Sequence, residues 1–112
     1  MANVLLVNPR ITPAHKARFP LSLLALAAAL AGRHTVRIVD GNKAADDGTA
    51  ATVQALVQER FDVVGLTVMG GPQVRTAIDV SRAVRDVAPG TPVAWGGYFP
   101  TLYPDAALNA PY

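Results

Sequence analysis

Four apolar runs of strand length, each followed by a stretch of helical pattern, constrain this chain more than any other feature. Asn3 to Val7 (NVLLV) stops at Asn8-Pro9 and reads as a buried strand. Pro20 then opens an apolar helix that Gly32 closes. Thr35 to Val39 (TVRIV) alternates, is rich in β-branched residues and ends at the turn Asp40-Gly41-Asn42. Thr49 to Arg60 carries Val53, Leu56 and Val57 on one helical face, and Asp62 to Val68 (DVVGLTV) is the third strand. Met69-Gly70-Gly71-Pro72 breaks that strand, and Gln73 to Val87 keeps its apolar residues at helical spacing. Pro92 to Trp95 forms the fourth strand, and Thr101 to Asn109 a last helix. Apolar strands joined by helix-length crossovers specify an α/β fold, a parallel sheet with helices on both faces.

At 112 residues the chain suits one domain, residues 1–112, long enough to bury a core. Half of it is hydrophobic and only 16% charged, which argues against disorder. The net charge of +2 is spread thinly, with no basic patch carrying interleaved aromatics, so nucleic acid is not an expected partner. Without cysteine, the chain cannot supply disulfides, thiolate zinc sites or iron–sulfur ligands. The apolar run from Phe19 to Ala31 is too short to span a bilayer and lies behind loops containing prolines, so no membrane is expected and the location is read as cytoplasmic.

Ligands of such sheets bind outside the carboxyl ends of the strands. The lining is then Asn8-Pro9-Arg10, Asp40-Gly41-Asn42, Thr67 to Gly71, and Gly96-Gly97-Tyr98, a rim where glycine gathers. The first loop, NPRITPAHKARFP, has no glycine, which excludes the dinucleotide fingerprint, and no phosphate-cradling Gly-Lys-Ser/Thr loop exists. A receiver domain needs acidic residues at the early strand ends, where this chain has Asn8. His34 is read as a turn residue far from the rim, and His15 as a solvated loop residue rather than a ligand or base. No catalytic constellation can be assembled, so no catalytic residue is assigned and binding is the better reading.

VLLVNP, FPLSLLALAAAL, VRIVDGN, and above all FDVVGLTVMGGPQ with PVAWGGYFPTLYPDAAL resemble the amino-terminal cobalamin-binding domain of cobalamin-dependent radical SAM enzymes. The resemblance runs along essentially the whole chain. It implies a flavodoxin-like (Rossmann-like) three-layer fold of strand order 2-1-3-4-5, with the corrin over the strand ends and the nucleotide tail threaded beside the sheet. It implies cofactor binding at Asn8, Pro9, Arg10, Thr67, Val68, Met69, Gly70, Gly71, Gly96, Gly97, Tyr98 and Pro100. Gly96, Gly97 and Gly70 would leave room for the tail, the Thr67 hydroxyl would bond it and Met69 would pack it. A bulky residue at Gly97 is then expected to abolish corrinoid binding without unfolding the domain. If the glycines only make tight turns, the chain is instead a generic α/β module for a nucleotide-type ligand or a protein partner, and the change would alter packing alone.

The Asp-x-His-x-x-Gly motif of cobalamin mutases is absent. The resemblance therefore implies base-off cobalamin with no histidine, and no other metal ligand, from this chain; Asn8, Pro9 and Arg10 would approach cobalt instead. The iron–sulfur cluster and S-adenosylmethionine of the full enzyme, for example a methyltransferase, would sit on a radical SAM domain in cis or in trans. With four strands read, the domain is expected to be truncated before its fifth, leaving the fourth as an exposed edge through which the chain self-associates. The first helix is expected to pack Leu23, Leu26, Ala27 and Leu30 on the sheet. Its other apolar side, Leu24, Ala25 and Ala28, is expected to dock another domain or subunit.

Overall fold

The computed structural model describes every residue except Ala14, His15, Ala17, Arg18, Ala45 and Tyr112, so the expectation for His15 lies outside the described residues. Strands β1 (Asn3–Asn8), β2 (Thr35–Asp40), β3 (Val63–Thr67) and β4 (Val93–Gly96) form one sheet of order β2-β1-β3-β4. All three pairings are parallel, with Leu5 opposite Arg37 and Val64, and Leu66 opposite Trp95. The crossovers are helices α1 (Leu21–Leu30), α2 (Thr49–Gln58) and α3 (Pro72–Val87). This is the expected flavodoxin-like α/β arrangement.

Strand alternation divides the apolar residues into two cores. Leu5, Val7, Val64, Leu66 and Val68 point to one face and pack with Phe61, Ala55 of α2, and Ala77, Val80 and Val84 of α3. Each fully buried Val or Leu there contributes about 1.5–3 kcal/mol. On the opposite face Val4 and Leu6 pack under Leu23 of α1, with Ala27, Leu30, Val36, Ile38 and Val63 at the margin. Leu23 is buried as expected, whereas Leu26 is half exposed and does not pack on the sheet. Leu21 and Leu24 are exposed as well.

The last helix differs from expectation. It is two short helices, α4 (Tyr98–Leu102) and α5 (Pro104–Leu108), broken at Tyr103 with φ −131° and ψ 60°. Pro104 is the cause: its ring drives the preceding residue out of the helical region, and it lacks the N–H that would continue the ladder. His34 occupies the turn before β2, where its Nδ1 accepts the Ala2 N–H at 2.9 Å. No helix among the described residues is long and apolar enough to cross a membrane.

Candidate functional site

A buried polar network knits the strand-end loops together. Asn8 closes β1, 7% exposed, and its Nδ2 donates to Asp40 Oδ1 at the end of β2, 3.1 Å away. Asp40 Oδ1 also accepts the Asn42 N–H. Asn42, itself buried, turns its Oδ1 to the N–H groups of Ile11 and Thr12 at 3.0 and 3.2 Å. Gln73, in the first turn of α3, completes the set. Its Nε2 donates to Asn8 Oδ1 and to the Pro9 carbonyl at 2.9 and 2.8 Å, and its Oε1 accepts the Met69 N–H at 2.7 Å. Every hydrogen-bonding site of the Gln73 donor nitrogen is used, as the burial of an amide requires. One side chain thereby fixes the loop after β1 against the loop after β3.

Two cavities meet above this floor. The first, about 250 Å³, sits at the strand ends and is lined by Asn8, Ile11, Thr12, Lys16, Asn42, Met69 and Gln73, with Phe19 to Ser22 along one wall. The second, about 270 Å³, is a groove down the α1 face of the sheet, lined by Leu6, Leu23, Leu26, Gly65, Ala94 and Gly96 among others. Ser22 and Thr67 line both, so the two adjoin at these residues. Neither hydroxyl has a hydrogen-bond partner among the described residues.

The groove exists because the sheet is bare there. Gly65 and Thr67 share one face of β3, and their registered neighbours on β4 are Ala94 and Gly96. Among the described residues α1 packs over β1 and β2, and no helix covers this pair of strands on the α1 side. A Cβ added at Gly96 would meet nothing within 4 Å, so the groove's free space begins at that backbone. At Gly65 an added Cβ would come within 3.1 Å of Leu6 Cδ2, the end of a side chain that lines the same groove.

Of the residues singled out from sequence, Asn8, Thr67 and Met69 come together at the rim, and Thr67, Gly96 and Gly97 at the groove. Asn42 lines the rim cavity as well, and the remaining candidates line neither. Pro9 is buried, and the Arg10 guanidinium is turned away, donating to the carbonyls of Gly41 and Ala44 at 3.1 and 2.6 Å. Val68 belongs to the opposite core. Gly70 and Gly71 lead into α3, Tyr98 is exposed, and Pro100 lines a different groove, about 430 Å³, beside the outer edge of β4.

Gly97 corrects an expectation. Its φ of 98° and ψ of −163° fall in a region open essentially to glycine alone. An added Cβ would also lie 3.1 Å from the Val68 carbonyl oxygen, so a side chain there strains the turn itself and is no neutral probe of binding. Sequence reasoning missed Gly65, Ala94, Ser22 and Gln73. A glycine inside a β-branched strand was the available signal for Gly65, and the alternation Ala94-x-Gly96 was the signal for its neighbour.

A family model described as the B12 binding domain matches residues 13–112, nearly all of the chain beyond β1. No curated protein and no solved structure matches. The chain belongs to the B12-binding domain family and is a cobalamin-binding domain.

Proposed function

We propose that the chain holds cobalamin base-off, without a histidine beneath cobalt, as the cofactor-carrying domain of a cytoplasmic radical SAM enzyme such as a methyltransferase. The observation that carries this reading is that the rim cavity adjoins, at Ser22 and Thr67, a groove floored by Gly65, Ala94 and Gly96. In this reading the nucleotide tail lies in the groove, with Ser22 and Thr67 bonding its polar part where the cavities join. Asn8 and Met69 face the corrin, while Gln73 and Asn42 hold the loops beneath it. Pro9, Arg10, Gly70 and Gly71 contribute by shaping the loops rather than by contact.

Bound cobalamin supplies a carbon–cobalt bond for methyl transfer or radical chemistry. The residues of this chain bind and orient it. The iron–sulfur cluster and S-adenosylmethionine belong to a partner domain in this proposal, and the exposed Leu24, Ala25 and Ala28 of α1 are its docking face. The end of β1 supports the part about the missing histidine: Asn8, Pro9 and Arg10 stand there, and the Asn8 and Arg10 side chains are committed to the network and to backbone carbonyls.

Gel filtration of the chain with hydroxocobalamin tests the proposal. Co-elution with the absorption spectrum of the base-off form is the expected result. Retention with an unchanged base-on spectrum would remove the threaded tail, and no retention by a folded chain would remove the proposal altogether.

A further inference from the structure

Asn42 is 3% exposed, yet only half of its side-chain amide is in use. Its Oδ1 accepts the N–H groups of Ile11 and Thr12. Those two bonds fix the orientation of the amide, because a flipped one would set its own N–H groups against two donors. Nδ2 has no hydrogen-bond partner among the described residues, although a buried amide ordinarily requires one. It is not sealed in either: among those residues the fully buried side-chain atoms left unpaired are Asn3 Oδ1 and Thr49 Oγ1. The small accessible part of Asn42 therefore includes its amide nitrogen, and Asn42 lines the rim cavity. The other amides of that cavity are engaged through both oxygen and nitrogen, Asn8 with Asp40 and Gln73, and Gln73 with Met69, Asn8 and Pro9. Lys16 lines the cavity too, and no carboxylate does so among the described residues. A fixed donor and a cation suit an acceptor oxygen.

We propose that the Asn42 amide nitrogen is a cofactor-binding donor, which takes one acceptor oxygen of cobalamin. The proposal rests on the reading that the cofactor covers the rim cavity. Cobalamin carries acceptor oxygens of two kinds, the carbonyls of the amide side chains around the corrin and the phosphate of its tail. Either kind would satisfy a donor that the fold has buried and left free, so binding removes the penalty of an unmade hydrogen bond. Asn42 is also held in place before the ligand arrives. Two backbone N–H groups fix its oxygen, and its own backbone N–H donates to Asp40 Oδ1 at the end of β2. Little rotamer freedom is then left to lose on binding. The two ends of one amide thus serve different purposes: the oxygen holds the loop after β1, and the nitrogen meets the ligand.

Asn42→Asp separates the two ends, since a carboxylate still accepts from Ile11 and Thr12 but has nothing to donate to a ligand. Its affinity is measured by spectral titration with hydroxocobalamin and with the aquo form of cobinamide, which keeps the corrin amides and lacks the tail with its phosphate. Weakening by about tenfold or more is expected. Either pattern of loss upholds the proposal: with both corrinoids the acceptor is on the corrin, and with hydroxocobalamin alone it is on the tail. Unchanged affinity for both, in a variant that circular dichroism shows to be folded, would overturn it. The parent chain supplies a second readout that depends on no variant folding. When hydroxocobalamin is added, the side-chain amide protons of Asn42 are expected to shift and to exchange more slowly with water, while those of Gln73, already bonded, change little. Asn42 protons that do not respond in a chain retaining the cofactor would also overturn the proposal. If the folded parent retains neither corrinoid, the reading beneath the proposal has failed and the proposal falls with it.

Discussion

Gly96 and Gly97 stand side by side in the sequence and do different work. Gly96 lies in β4 with open space where a side chain would project, whereas Gly97 holds the turn into α4 with its backbone in a glycine-only conformation. Gly96→Leu is therefore expected to leave the melting temperature nearly unchanged and to abolish corrinoid retention. Gly97→Ala is expected to destabilise the fold by about 1–3 kcal/mol, measured by urea denaturation. Equal losses of stability in the two variants would show that the groove does not begin at Gly96. At the opposite end of the sheet, hydrogen bonds from Asn3 and then Arg37 hold the Glu59 carboxyl below the usual glutamate range. A carboxyl whose folded value is depressed adds stability above its unfolded value, and that contribution disappears as pH falls through the folded one. Glu59→Gln should thus be less stable than the parent near neutrality, with the difference vanishing in acid denaturation series.

Among the elements, α3 links fold to site. It begins at Pro72, its buried side packs on the sheet, and its first turn places Gln73 under two loops at once. Gln73→Leu leaves Met69 N–H, Asn8 Oδ1 and the Pro9 carbonyl without their partner, and a loss of about 1–3 kcal/mol for each buried group left unpaired sets the scale. We expect lowered stability together with weakened cobalamin binding; unchanged binding would separate the network from the site. β4 is the other telling element. Its outer edge is unpaired among the described residues and flanked by a groove lined by Trp95, Pro100, Pro104 and Leu108. An open apolar edge invites another strand, so we propose that the chain self-associates there. Sedimentation velocity should show concentration-dependent dimers that Leu108→Lys, at a position 82% exposed, disperses. A parent chain that stays monomeric at high concentration would contradict this.

For the whole molecule, the order of strands and helices was legible because each apolar run had one period and a proline or glycine boundary. The exception, the broken last helix, turned on Pro104, whose effect on the residue before it was passed over. The site was legible only in part. Gly96 and Thr67 could be placed because both sit at strand ends, but sequence does not show which side of a strand is left uncovered. That depends on α1 shielding β1 and β2 and stopping short of β4, a matter of helix placement. Gln73 was hidden for a similar reason: a glutamine in a first helical turn reads as solvated until the loops it bridges are brought together. In the proposed binding mode the cofactor's tail lies along Gly65, Ala94 and Gly96. Amide chemical-shift mapping of the isotope-labelled chain with hydroxocobalamin tests it most directly. We predict the largest shifts at Ser22, Gly65, Thr67, Ala94 and Gly96, with little change at the outer side of α5. Shifts confined to the β4 edge and α5, or spread without focus, would place the tail elsewhere and contradict this binding mode.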